Sequence, residues 1–299
     1  MCYGRFKVSL LDKQNPFATL CYLFFVIFIT MFTTNPIMLG ISFMSGILLF
    51  LSLKGIKKTL IRLTYSLIFI LVIMIVNPFF SKQGMTDLFY IGNMRVTLES
   101  LLNGVAIGVM FSAIFFWFGA INHLLDSDKI SYIFSKYTPK IGTILSVSLG
   151  LLPKYVSQYK KIDNNLKGLG LYNNVKFYKK IKLKLRVFST LISWSIENSL
   201  TLSDSMSARG YELKGKRVFN KYTFNIGDIV FLIISIIVGI CLIVFMGLGM
   251  CDYYFYPTFK PIAFDSSFWL YSVTFCFMNL LSVINLWEML KWQFTVSKI

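Results

Sequence analysis

Long apolar runs with few charges, separated by short polar interruptions, fill both ends of the chain, and a polar stretch of about 100 residues divides them. Six runs stand out: Pro16 to Thr33, Pro36 to Leu53, Leu63 to Phe80, Leu101 to Leu125, Ile226 to Leu248 and Phe268 to Trp287. Roughly 20 helical residues cross the ~30 Å hydrocarbon core of a bilayer, so this pattern predicts six transmembrane helices. Asn35-Pro36 predicts a tight turn between the first two. The first run lacks a small-residue cleavage site and a second span follows at once, which excludes a cleaved signal peptide. The expected fold class is all-α, a polytopic membrane protein in three parts. Residues 1–125 carry four spans, 126–225 form a water-facing insert, and 226–299 carry two further spans.

Inside the insert the apolar period changes. From Pro153 the residues Tyr155/Val156, Tyr159, Ile162 and Leu166 recur at helical spacing against a lysine-rich face, predicting an amphipathic helix with Pro153 in its first turn. Gly168 and Gly170 suit the left-handed position past its end. A second helix is predicted from about Leu183 to Arg209, with apolar bulk at Phe188, Ile192, Ile196, Leu200 and Met206, and Gly210 following as its stop. Its apolar pattern is broad enough for cover on more than one side.

Composition agrees with the class. At 56% hydrophobic, 17% aromatic and 14% charged, with mean hydropathy +0.67, the chain is too apolar for a soluble domain of 299 residues. Charge then predicts orientation. The insert carries 18 Lys/Arg against six Asp/Glu, and segments 1–15, 54–62 and 288–299 are also positive, whereas 81–100 is neutral and 249–267 slightly negative. Cytoplasmic loops carry the Lys/Arg excess, so both termini and the insert are expected in the cytoplasm. The net charge of +17 and the run of Lys176, Lys179, Lys180, Lys182, Lys184 and Arg186 raise the question of nucleic acid. A juxtamembrane basic run is already what topology and anionic headgroups require, so the expected surroundings are the lipid bilayer and no nucleic acid.

Little in the chain carries catalysis. There is no phosphate-cradling Gly-x-x-x-x-Gly-Lys-Ser/Thr loop, no zinc-ligand spacing and no Cys-x-x-Cys among the five cysteines. The lone His123 at the inner end of the fourth span reads as an interfacial or packing residue. No predicted span has a central Asp, Glu, Lys or Arg, the usual mark of an ion-coupled carrier. Neither catalytic residue, metal site nor cofactor is expected. That leaves Arg209, for which spacing alone allows two readings: a cation in a last helical turn gains about 0.3–1 kcal/mol from the macrodipole with no partner, or it reaches outward to one.

Asn15-Pro16, Asn35-Pro36, Asn77-Pro78 with the following Phe-Phe-Ser-Lys-Gln-Gly-Met-Thr-Asp-Leu-Phe-Tyr90, Pro153, and above all Asp204-Ser-Met-Ser-Ala-Arg-Gly-Tyr211 with Gly215-Lys-Arg217 occur in an order that carries a resemblance. Over nearly its whole length the chain resembles the transmembrane T component of energy-coupling factor (ECF) transporters, the CbiQ-type family. The resemblance implies a bacterial plasma-membrane protein that hydrolyses nothing itself. It would join two cytosolic ABC-type ATPase subunits to a small membrane S component that binds a vitamin or metal ion. In that family two coupling helices each end in Ala-Arg-Gly, whose arginine docks in an ATPase groove. Here the second is Ala208-Arg209-Gly210, whereas the first falls on Gly168-Leu169-Gly170, with Lys167 two residues before the missing arginine. Lysine is a point charge rather than a planar fork. The expected docking residues are therefore Ala208, Arg209 and Gly210, with Lys167, Leu169 and Gly170 at the altered end. On the residues alone a self-sufficient carrier or channel, and a membrane-protein assembly factor, remain open.

Overall fold

A computed structural model describes residues 15–81, 84–91, 94–172, 176–211, 225–251, 253, 255 and 268–296. The helices are α1 (Pro16–Phe32), α2 (Pro36–Lys54), α3 (Ile56–Phe80), α4 (Leu98–Leu124), α5 (Ser127–Tyr137), α6 (Pro139–Gly168), α7 (Phe177–Ala208), α8 (Ile226–Gly247) and α9 (Phe268–Val296). A β1 (Asp87–Ile91) and β2 (Met94–Thr97) antiparallel hairpin between α3 and α4 was not predicted. Two compact units result: residues 1–126 with 222–299, and residues 127–221. Five helices of the first unit, α2, α3, α4, α8 and α9 up to Trp287, are long and apolar enough to cross a membrane. The remaining predicted span, α1, has 17 residues, the short end of the crossing range. The chain is an all-α, multi-pass membrane protein.

The two Asn-Pro pairs share one physical purpose. Asn15 and Asn35 are N-caps whose side-chain oxygens accept from the Phe17 and Ile37 amides at 3.2 and 3.0 Å, and Pro16 and Pro36 take the first helical position, where no amide is missed. Asn35 also donates to the Tyr271 hydroxyl at 2.9 Å, tying the α1–α2 turn to α9. From there a ladder runs along α2 and α9: Asn279 donates to Ser45 at 2.9 Å and Asn285 to Ser52 at 3.0 Å. The partners rise together in number, so α2 and α9 are parallel. Trp117 of α4 donates to Ser42, which is also bonded to Thr30 of α1. Lipid offers these groups no partner, and interhelical bonds of this kind contribute about 0.6 kcal/mol each. Tyr22, Phe116, Trp117 and Leu281 fill the space around them and are fully buried.

Helices α3 and α4 meet differently. Gly104, Gly108 and Ser112 recur every fourth residue, and a Cβ added at Gly104 or Gly108 would lie 3.0 Å from the Met74 or Ile70 Cα. The two backbones touch, as in small-xxx-small packing of membrane helices. Helix α3 begins at Ile56, seven residues before the predicted span, because Gly55 at φ 79° alone separates it from α2. This brings Arg62 into the helix, where Nη2 donates to the Phe115 carbonyl at 2.6 Å and the guanidinium lies 4.6 Å from the Phe50 ring centre. Gly119 supplies the notch for it. Among the described residues only 11% of the apolar stretch of α3 and 17% of that of α8 is buried, which suits helices with an outward apolar face.

In the second unit Pro153 does not open a helix. α6 starts at Pro139 and carries Pro153 in its interior, where the ring removes one backbone hydrogen bond without ending the helix. The predicted second helix likewise starts earlier, at Phe177, so the basic run belongs to α7 itself. The basic N-terminal segment and the Gly215-Lys216-Arg217 tail lie outside the described residues.

Gly108→Val should drive α3 and α4 apart and cost about 1–3 kcal/mol by overpacking. Gly40, with nothing within 4 Å of an added Cβ, should accept alanine without loss. Thermal unfolding of the two variants in detergent checks this: a lower midpoint for Gly108→Val and an unchanged or higher one for Gly40→Ala are expected.

Candidate functional site: two capped helix ends

Helices α6 and α7 are antiparallel. Lys154 of α6 donates to the Asn198 side chain of α7 at 2.5 Å and lies over the Trp194 ring, against which Tyr155 packs edge-on at 5.8 Å. Nearer the α6 end, Asp163 feels the charge of Lys184, so position rises on one helix as it falls on the other. From the Lys154–Asn198 contact, α6 runs on for about 15 residues and α7 for about 11. At 1.5 Å per residue the α6 end lies roughly 22 Å and the α7 end roughly 16 Å from the crossing, on opposite sides of it.

Both ends close in the same way. The Gly170 amide donates to the Lys167 carbonyl at 2.9 Å and the Leu171 amide to Leu166 at 3.3 Å; Gly210 donates to Ser207 at 2.9 Å and Tyr211 to Met206 at 3.1 Å. This is the Schellman closure, and it requires a left-handed residue, here Gly170 at φ 71° and Gly210 at φ 73°. Leu169 and Arg209 are the two C-caps, with φ/ψ of −73°/1° and −82°/7°. They are structural equivalents, so leucine occupies at one end the place arginine occupies at the other. Ala208 is the last residue of α7. The Tyr211 turn lies against α7 and, with Leu202 and Met206, lines a shallow hollow of about 230 Å³.

The side chains differ more than the backbones. Arg209 is exposed, and its guanidinium meets no partner among the described residues. Leu169 is 73% exposed, a large apolar side chain held in water. Lys167 is engaged: its ammonium is 2.5 Å from Asp163, whose other oxygen accepts from the Tyr172 hydroxyl at 2.8 Å. The Lys167 ammonium first, and then the Tyr172 hydroxyl, hold the Asp163 carboxyl below the usual aspartate range. Lys167 thus helps clip the turn after α6 shut. The Asp163–Lys167 spacing of four is readable in the sequence; the parts of Tyr172, Lys154 and Asn198 depend on folding.

Glycine closure alone marks no site. Helix α8 ends in the same motif, with Leu248 as C-cap and Gly249 at φ 75°. What sets the α7 end apart is the charge at its cap. Among the described residues no group of three or more His, Cys, Asp or Glu could hold a metal ion.

The architecture is that of a polytopic membrane protein bearing an antiparallel pair of capped, polar-faced helices. No family model matches the chain. It is similar to the energy-coupling factor transporter transmembrane protein EcfT 1 of Listeria monocytogenes serotype 1/2a (strain 08-5578), 25% identical over 199 residues, 62% of this chain and 72% of that protein. It is also similar to the energy-coupling factor transporter transmembrane protein EcfT of Streptococcus equi subsp. equi (strain 4047), 24% identical over 256 residues, 80% of this chain and 92% of that one. Both relatives bear out the resemblance to the ECF T component. Both are named as transmembrane proteins of a transporter, in keeping with the membrane-crossing helices described above.

A pH test follows from the Asp163 clip. Because the folded carboxyl titrates below its unfolded value of about 4, its contribution is present above that pH and lost as pH falls through the lower folded value. Asp163→Asn should therefore speed amide exchange of the 166–172 turn at neutral pH. After correction for intrinsic rates, mutant and parent should converge as pH falls through the lowered folded value; equal rates at pH 7 would show that the clip does not hold the turn.

Proposed function

We propose that this chain is the T component of an ECF-type ABC importer. It is a non-catalytic scaffold that transmits ATP-driven movement from two cytosolic ATPase subunits to an S component binding a vitamin or metal ion. The insert, residues 126–225, is the coupling region, and it faces the cytoplasm together with both termini, as the Lys/Arg distribution requires. The observation that carries this reading is the placement of two equivalent C-caps, Leu169 and Arg209, on opposite sides of the α6–α7 crossing. Ends so separated cannot share one groove; they suit two separate subunits.

Arg209 is the charged contact of the pair. An exposed guanidinium on a rigid cap suits a bidentate pair with a carboxylate, and removing one partner of such a buried interfacial pair costs about 2–5 kcal/mol. The macrodipole alone accounts for no more than about 1 kcal/mol. At the other end Leu169 docks by apolar contact, since Lys167 is already committed to Asp163.

Arg209→Ala should leave the chain folded and strongly reduce ATPase capture and solute uptake, and Arg209→Lys should restore only part, keeping the charge without the fork. Pull-down of the ATPase pair and uptake in vesicles, with expression checked in parallel, measure this. Parental assembly and uptake by Arg209→Ala would reduce the residue to a helix cap.

At the opposite end Leu169→Asp should weaken assembly more than Lys167→Ala, because a carboxylate pressed into an apolar groove is desolvated without a partner. The reverse ranking would give Lys167 the missing arginine's part. The isolated chain should show no saturable ATP turnover until the ATPases are added.

A further inference from the structure

Helix α7 changes character near its middle. In its first part Phe177, Ile181, Leu185 and Phe188 follow one another at spacings of four, four and three, one stripe on a helix of 3.6 residues per turn. They are 80%, 43%, 62% and 57% exposed, so the stripe is largely uncovered by the described residues. At about 100° per residue, Lys180 and Lys184 fall on one flank and Lys182 and Arg186 on the other. With Lys176 and Lys179 this part carries six cations, and no acidic residue occurs before Glu197. Trp194, Asn198 and the fully buried Val187 lie on the same flank as Lys180, and through Trp194 and Asn198 that flank faces α6, so Lys182 and Arg186 are on the flank turned away from it.

Beyond Phe188 the apolar stripe continues through Ile192, Ile196 and Leu200, and the charge does not. Its neighbours there are serines and threonines with Glu197 and Asp204, and no cation appears until Arg209. Apolar surface thus extends along most of the helix, while the basic flanks are confined to its first third.

We propose that the Phe177–Phe188 face of α7 is a binding surface for anionic lipid, with the apolar stripe seated at the level of the upper acyl chains and the flanking ammonium and guanidinium groups on the headgroup phosphates. A phosphate polymer such as nucleic acid would engage the cations and leave four large apolar side chains in water. A protein occupant would have to supply an acidic rim on both sides of an apolar ridge. An anionic bilayer surface supplies both chemistries in this order, and long basic side chains reach its headgroups while their stems lie on the apolar layer. The surface is separate from the Arg209 cap and does not rest on ATPase docking.

The test uses the full chain in a cysteine-free background, labelled with an environment-sensitive fluorophore at Ile181→Cys or, as control, at Ile196→Cys. It is reconstituted in nanodiscs of phosphatidylcholine alone or of an equal mixture with phosphatidylglycerol, each containing acyl-brominated lipid as quencher. Quenching at position 181 should be several-fold stronger in the anionic mixture, should fall with added salt, and should drop to the phosphatidylcholine level in K179Q/K182Q/K184Q/R186Q. Position 196 should respond to neither composition nor salt, and an unchanged elution volume of the quadruple variant verifies its fold. Equal quenching at 181 in both bilayers, or none in either, overturns the proposal, the former pointing to a neutral surface and the latter to a protein occupant. Loss of ATPase capture in Arg209→Ala is read independently of every one of these outcomes.

Discussion

A bilayer interior gives a polar group nothing to bond to, and the membrane unit is organised around that fact. Backbone amides and carbonyls in the hydrocarbon are satisfied within their own helix, and side-chain polar groups bond either to a carbonyl one turn back, as Thr30 does to Val26, or across to another helix. Asn15 and Asn35 cover amides that would otherwise be orphaned where the first two helices begin. Tyr271, Asn279 and Asn285 then set α9 against α2 by bonding to Asn35, Ser45 and Ser52, and Ser42 joins α1, α2 and α4 through Thr30 and Trp117. Individually these bonds are weak. Together they select one register among several that apolar packing would accept about equally, because leucine against leucine is scarcely preferred to leucine against lipid.

The contact of α3 with α4 obeys the same constraint by other means. Here the polar bonds run from side chains to backbone carbonyls, Arg62 to Phe115, Ser112 to Ser66 and Asn77 to Ser100, and close backbone approach over Gly104 and Gly108 adds dispersion contact. The outer surfaces of α3 and α8 are apolar and long enough to meet a bilayer.

In the insert the solvent is water and the rules change. Helix ends close on themselves through glycine, leaving the cap side chain to point away. Identical backbone geometry at Leu169 and Arg209 separates what is generic, the closure, from what is particular, the guanidinium. An importer with one charged and one apolar end would have asymmetric contacts with its two ATPases. The concentration of cations in the first third of α7 adds a third region of distinct chemistry to the same two helices.

Much of this was legible in the chain. Long apolar runs have one stable form in lipid, so their position, number and helical nature follow from composition and length alone, and the Lys/Arg distribution carries the expected orientation. The Ala208-Arg209-Gly210 end was legible because glycine at a left-handed position is a local requirement. Local signals failed at Pro153, which was read as a first-turn proline and lies inside α6, because an interior proline is tolerated wherever the rest of a helix holds it, and sequence does not show what holds it. They were silent on Gly104 and Gly108, on the notch for Arg62, and on the commitment of Tyr172 to Asp163. Each of these depends on which face of a helix meets which neighbour. A sequence specifies a helix through residues a few places apart, whereas the partners of a glycine, an asparagine or an arginine across a helix pair stand tens to hundreds of residues away, and only the folded chain brings them together.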